Sequence, residues 1–352
     1  MHKTWQFIIS CILMCISISI NNFPYILDNQ EIILKGYTMG TTWKIIFPGI
    51  NPIKKNLIKH YIQNILNHDE KKLSTWRSDS EITKFNQYHG DYPQPISIEI
   101  ADTITQALRI GHQMYGAMDI TIGQLVNLWG FGPIGKRNKI PTQFQIDRAL
   151  SLTGLSHLQV INCSNQSYLY KNLSKLLVDL SSVGEGFAVD HLASVIEKEG
   201  IKNYLVSVGG AIRTRGHNTK GKFWRIAIQK PTDLENIVQD IVILSGKSIS
   251  TSGTYRNYYE LGKKRLTHLI NPTTGKPIKN HLVSVSVISN SALEADCWDS
   301  GLLILDMEKA QELAKKYKKA VYLIAQNGNT FTTWVSPQFL SFLPCQFSPI
   351  PQ

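Results

Sequence analysis

An α+β (mixed α/β) fold is predicted, because strand-like and helix-like stretches interleave without a fixed period and no tandem repeat accompanies them. The 352 residues are enough to bury a large core. One domain over 36–345, divisible into two subdomains, is expected behind an N-terminal apolar segment (1–21) and a tether (22–35). Residues 36–47 read as one glycine-containing strand and 55–67 as an amphipathic helix. Residues 98–115 carry helical apolar spacing, with Ile100, Ile104, Leu108 and Met114 near one face. Gly130-Phe131-Gly132-Pro133 is a turn or rigid loop, followed by a basic loop and a short helix over 142–152 that stops at Gly154. In 176–208, Leu176-Leu177-Val178-Asp179-Leu180 reads as a buried strand and Gly184-Glu185-Gly186 as a turn. A helix over 187–199 stopped by Gly200 and a strand over 204–208 complete that unit. Strands at 224–228, 241–244 and 283–288, helices at 292–305 and 307–317, and a strand at 321–325 follow.

A composition of 43% hydrophobic and 18% charged residues is that of a globular protein, neither disordered nor multi-spanning. The net charge of +11 invites a nucleic-acid reading, but the basic residues are scattered, so no nucleic-acid partner is expected. At the N-terminus, His2 and Lys3 precede an apolar run from residue 5 to residue 20, the pattern of a signal peptide or short membrane anchor. Cys11 and Cys15 lie within that run, each open to lipidation but neither in a clean lipobox. Cys163 and Cys297 are expected as unpaired thiols, and no Cys/His cluster has zinc spacing.

Four clusters could carry chemistry. Gly184-Glu185-Gly186 before a helix offers backbone N–H groups to a phosphate, or is a plain tight turn. Val189 stands where a dinucleotide fingerprint wants its third glycine. In Glu294-Ala295-Asp296-Cys297-Trp298-Asp299-Ser300, Asp296 and Ser300 are spaced i, i+4 with Asp299 beside them, a set suited to Mg²⁺ or simply an acidic helix start. His268, read as strand-borne before the Asn271-Pro272-Thr273-Thr274-Gly275 turn, is placed to act as general base or acid, or is structural. The hydroxyls of Thr251-Ser252-Gly253-Thr254-Tyr255 could hold phosphate or a ring, or form a polar turn.

Taken in order, short segments resemble the FAD:protein FMN transferases, the ApbE-type family, over nearly the whole chain after residue 36. The carriers are Tyr37-Thr38-Met39-Gly40-Thr41-Thr42-Trp43, Leu73-Ser74-Thr75-Trp76 and Gly116-Ala117-Met118-Asp119-Ile120-Thr121. They continue in Asn127-Leu128-Trp129-Gly130-Phe131-Gly132-Pro133 and in Val178-Asp179-Leu180-Ser181-Ser182-Val183-Gly184-Glu185-Gly186. Val206-Ser207-Val208-Gly209-Gly210, Ser250-Thr251-Ser252-Gly253, His268-Leu269-Ile270-Asn271-Pro272 and Glu294-Ala295-Asp296 complete the set.

That resemblance implies transfer of FMN from FAD, a substrate here, to a threonine or serine hydroxyl of an acceptor protein, with AMP released and Mg²⁺ as cofactor. It implies flavin-nucleotide contacts from Met39, Trp76, Ala117, Met118, Asp119, Asp179, Glu185 and Ile270. Mg²⁺ ligands would come from the Ser182 carbonyl and from Asp296, Asp299 and Ser300, with His268 and Asp296 as the catalytic pair. Many members carry lysine at Glu185, which points this glutamate to a ribose or adenine group rather than phosphate. Ser300 stands for a usual threonine and Met118 for a common aromatic residue. The implied partners are flavoprotein subunits of membrane electron-transfer complexes, met at the periplasmic side of the inner membrane. A Mg²⁺-dependent FAD pyrophosphatase or a periplasmic flavin carrier would use the same parts.

Overall fold

The computed structural model describes residues 31–49, 52–232, 237–255, 257–262 and 264–344. The expected apolar segment and most of the tether lie outside these residues. Where the tether was expected to continue to residue 35, a strand begins: β1 (Glu31–Thr38) alternates exposed and buried positions and pairs with β2 (Thr41–Pro48). The single strand expected over 36–47 is therefore a hairpin. Its two-residue turn, Met39-Gly40, has φ of 50° and 73°, the doubly positive geometry that the right-handed twist of a hairpin favours.

The main sheet has eight strands in the order β1, β2, β6 (Tyr204–Val208), β7 (Ala211–Arg215), β10 (Ser248–Gly253), β15 (Leu282–Ser289), β16 (Ala320–Asn327) and β17 (Thr330–Val335). Every neighbouring pair is antiparallel, so the fold is α+β in the strict sense. Between these strands come β3 (Gln94–Ile96), β4 (Leu158–Cys163) and β5 (Gln166–Lys171), which form a three-stranded sheet. Three two-stranded ribbons pair β8 (Trp224–Gln229) with β9 (Val238–Leu244), β11 (Tyr258–Leu261) with β12 (Lys264–Thr267), and β13 (Ile270–Asn271) with β14 (Lys276–Pro277).

The helices are α1 (Pro52–Leu73), α2 (Glu81–Gln87), α3 (Ile98–Gln113), α4 (Gly123–Leu128), α5 (Gln143–Leu150), α6 (Gly184–Lys198), α7 (Ala292–Ile304), α8 (Met307–Lys316) and α9 (Pro337–Leu340). Both faces of the sheet are covered. On one, α6 and α7 pack on β6, β7, β10 and β15, and α3 packs behind α7. On the other, Trp224, Ile226 and Val242 of the β8–β9 ribbon meet Leu205, Ile249, Tyr322 and Phe339. Central β15 is consequently buried at every position but its last.

Leu176-Leu177-Val178-Asp179-Leu180 is buried as expected except at half-buried Leu177, yet is not a strand of any sheet; one isolated bridge joins Leu177 to Ile122. Its backbone groups are met by side chains and single amides instead. The Asn86 amide brackets Val178, donating to its carbonyl and accepting from its N–H at 2.8 Å each. Lys171 Nζ donates to the Leu176 carbonyl, Gly123 N–H to that of Leu177, and Asp179 N–H to that of Ile120. An apolar run signals burial, and partners of this kind leave no periodic trace. Gly184-Glu185-Gly186 is likewise the first turn of α6 rather than a turn before it.

Candidate functional site

α6 and α7 meet at their N-termini, and there the carboxylates gather. Asp296, Asp299 and Ser300 of α7 are all buried. Asp296 Oδ2 accepts the Gly186 N–H of α6 at 2.8 Å, and Asp296 Oδ1 accepts Ser250 Oγ at 3.3 Å. Ser252 Oγ lies 3.1 Å from Asp299 Oδ1 and 3.2 Å from Ser300 Oγ. Ser250 and Ser252 reach this face together because alternate residues of a strand share a side; Thr251 points the other way, to Ser286 Oγ at 2.8 Å. Of the 251–255 stretch, read as a phosphate- or ring-holding group or a polar turn, residues 251–253 are the end of β10.

Glu185 completes the group. Its carboxylate accepts the Gly210 N–H at 2.7 Å and lies so close to Gly209 that a Cβ there would stand 2.0 Å from Oε1. Gly209, at φ 51°, is thus required twice over. Loss of hydration raises the pKa of Asp296 well above the carboxylate range, and repulsion from Asp299 and Glu185 raises it further. Burial also raises that of Asp299, against the lowering effect of the Ser250 and Ser252 hydroxyls.

Asp299 Oδ2 is buried with no hydrogen-bond donor. Such an oxygen beside a second buried carboxylate is what a proton or a hard cation satisfies. Among the described residues no three His, Cys, Asp or Glu side chains group closely enough to hold a metal by themselves. A cation here would take Asp296 and Asp299 with hydroxyl, carbonyl or phosphate oxygens, which is the mixed set that Mg²⁺ accepts. Ser182, half-buried, lies two residues before α6. Cys297, between the two aspartates, is buried and free, and burial raises its pKa well above the usual range; Cys163 is free and exposed.

His268 is one residue past the end of β12 rather than within a strand. Its Nδ1 is 2.8 Å from the Asn257 carbonyl, which can only accept, so Nδ1 carries the proton and Nε2 is the lone-pair nitrogen. Loss of hydration lowers the imidazole pKa, keeping the ring neutral. The ring meets Phe131 edge-on at 6.4 Å. Trp129 is held from both sides here: its Nε1 donates to the Gly275 carbonyl at 2.6 Å, and its carbonyl accepts the Tyr259 hydroxyl at 2.7 Å. Ile270 is buried in the same cluster as Trp129 and Tyr259.

Met39 is in contact range of the first turn of α6, where its Sδ would stand 3.8 Å from a Cβ on Gly184. The Glu70 carboxylate holds its turn by accepting the Met39 N–H and the Thr38 hydroxyl. Asp179 is buried, with Oδ1 accepting the Ser181 N–H at 2.8 Å, and lines a cavity of about 270 Å³ together with Thr75, Asn86, Asn127 and Pro133. Trp76, next to Thr75, is 63% exposed. Asp119 accepts both the N–H and the hydroxyl of Thr121, and burial raises its pKa. Met118 is 2% exposed, its Cβ packed where a Cβ on Gly301 would stand, so its side chain belongs to the core. Ala117 is also buried. Ser250, Glu70 and Gly210 are the site partners that no expectation named individually as binding groups.

The ApbE family model matches residues 39–324. An FAD:protein FMN transferase of Escherichia coli (strain K12) is 55% identical over 311 residues, 88% of this chain and 89% of the relative. The FAD:protein FMN transferase of Buchnera aphidicola subsp. Schizaphis graminum is 46% identical over 316 residues, 90% and 92% of the two chains. Among solved structures, the flavin transferase ApbE from Vibrio cholerae superposes with a TM-score of 0.81 at 35% identity, covering 89% of this chain and 99% of its own.

Proposed function

The chain belongs to the ApbE family, and on that premise we propose that it transfers the FMN half of FAD to a threonine or serine hydroxyl of an acceptor protein. The acceptor oxygen forms a bond to the FMN-side phosphorus, the bond from that phosphorus to the bridging oxygen breaks, and AMP leaves with the bridging oxygen. The hydroxyl proton passes to Nε2 of His268, the nitrogen left free by the hydrogen bond to Asn257. FMN stays joined to the acceptor as a phosphodiester, and no electron moves through the flavin.

The observation that carries the reading is the buried pair Asp296 and Asp299, with one carboxyl oxygen unpartnered, packed against the first turn of α6. The pair would hold Mg²⁺ with the Ser300 hydroxyl and the Ser182 carbonyl, and the bound ion would neutralise charge on the diphosphate. Met39, Trp76, Ala117, Asp119, Asp179 and Ile270 are proposed on the nucleotide. Met118 is proposed to support that wall from the core. Glu185, whose carboxylate accepts the Gly210 N–H, is proposed to meet a ribose or base edge.

Incubation with FAD, Mg²⁺ and a membrane flavoprotein subunit should leave covalent flavin fluorescence on the acceptor in a denaturing gel, and Asp296→Ala should abolish it. Free FMN without labelled acceptor would mean hydrolysis instead; FAD recovered unchanged would mean carriage.

The acceptors are proposed to be subunits of membrane electron-transfer complexes, met on the periplasmic side of the inner membrane. Attachment is proposed through the N-terminal apolar segment; no helix among the described residues is long and apolar enough to cross a membrane. The mass of the mature N-terminus distinguishes acylation at Cys11 or Cys15, cleavage without acylation, and an intact anchor.

A further inference from the structure

Each of α6 and α7 supplies a carboxylate from its second turn to a first-turn amide of the other. A helix start leaves amides without an intrahelical partner. In α6, the Gly186 N–H goes to Asp296 Oδ2 of α7. In α7, the Leu293 N–H goes to Asp190 Oδ2 of α6, at 3.0 Å. The exchange needs close approach, and Gly186 permits it: a Cβ there would stand 2.6 Å from the Ala292 carbonyl oxygen and 2.7 Å from Leu293 Cα.

Asp190 is held at its other oxygen too. Arg213 Nη1 of β7 donates to Asp190 Oδ1 at 2.7 Å, and Arg213 Nη2 lies 3.7 Å from Glu197. Glu197 is in turn fixed by Arg215 at 2.9 Å and by the Tyr204 hydroxyl. The start of α7 is thereby tied through one carboxylate to α6 and to the main sheet. Helix formation itself does not need that tie, because Ser291 already caps α7 by accepting the Glu294 N–H at 3.0 Å. The contact of Asp190 with Leu293 therefore bears on where the helix stands. Asp296 lies within one turn of Leu293 and Asp299 within two, so a shift at Leu293 moves both carboxylates.

We infer that Asp190 is a positioning residue for the transfer reaction, setting α7 against α6 and so placing Asp296, Asp299 and Ser300 relative to Ser182 and Glu185. The inference rests on the cation-dependent FMN transfer proposed above.

The test uses the full chain as wild type, Asp190→Ala, Asp190→Asn and Arg213→Met, with Ser291→Ala as a cap loss that spares the tie between helices. Three quantities are read: Tm with and without Mg²⁺ in the absence of FAD, the Mg²⁺ concentration giving half-maximal transfer, and kcat. Asp190→Ala should raise the half-maximal Mg²⁺ concentration by about tenfold, as loss of a group that orients metal ligands does. It should also shrink the Mg²⁺-dependent rise in Tm. Asp190→Asn, whose amide oxygen can still accept from Leu293, should recover part of both. Ser291→Ala should lower Tm and leave the Mg²⁺ response unchanged. If Asp190→Ala does not fold, Asp190→Asn and Arg213→Met are read in its place, each expected to weaken the Mg²⁺ response in the same direction. Variants at Asp190 and Arg213 that respond to Mg²⁺ as a responsive wild type does overturn the inference alone. A wild type whose Tm and transfer both ignore Mg²⁺ overturns the cation reading, and the inference with it.

Discussion

At His268, the proposed base, one hydrogen bond sets which nitrogen can accept a proton. Because Nδ1–H is committed to Asn257, Nε2 can only accept, and the lowered pKa keeps it unprotonated at neutral pH. A base works in its deprotonated form, so lowering its pKa extends activity toward acid. The acid limb of kcat/KM for FMN transfer should therefore lie below pH 6.5, the ordinary histidine value. A pH profile of wild type against His268→Ala checks this; the residual rate of the variant should lack that limb. At this scale the sequence was most informative where chemistry demands a residue type. Asp296, Asp299 and Ser300 could be picked out because helical spacing places them on adjoining faces. Ser250 and Ser252 were harder to assign, since their shared face emerges only once β10 is known to be a strand. Asp190 carries no motif of its own, and its role depends on an amide 103 residues away.

Among the elements, the long amphipathic helices and apolar strands could be read from their periods, and α3, β6, β15 and α7 stand close to where periodicity put them. The N-terminal hairpin could not, because its turn is Met39-Gly40 and a non-glycine residue at positive φ is uncommon. Nor could the extended segment around Val178, whose backbone is held by Asn86 and Lys171 from distant elements. The crossing of α6 and α7 is the element-scale feature with the sharpest consequence. Gly186→Ala would press a methyl group into the Ala292 carbonyl and force the helices apart. The expected loss is about 1–3 kcal/mol of stability, as overpacking of a close contact gives. Urea unfolding measures it, and FMN transfer should fall with it because the Asp296 contact is made by the same residue.

For the molecule as a whole, Lys171 links pH to stability. Its ammonium is buried between α2 and the 176–180 segment, donates to the carbonyls of Asn86 and Leu176, and lies 4.9 Å from the Phe85 ring. Burial pushes its pKa from 10.5 down to about 8. Between those values the unfolded chain binds more protons than the folded one, so stability rises with pH across that window. Urea midpoints should thus show wild type gaining on Lys171→Met between about pH 8 and 10.5. An unchanged difference would mean that Lys171 is not charged in a dry site.

The contact between Gly186 and Asp296 spans 110 residues, and the Ser250 hydroxyl joins it from a third place in the chain. During synthesis the halves of this site emerge far apart in time. A nascent chain stopped before α7 would hold β6, β7 and α6 yet lack both Asp296 and Asp299, the carboxylates proposed to hold the cation. Competence for FAD would therefore be acquired late and at once, when α7 packs against α6 and β10.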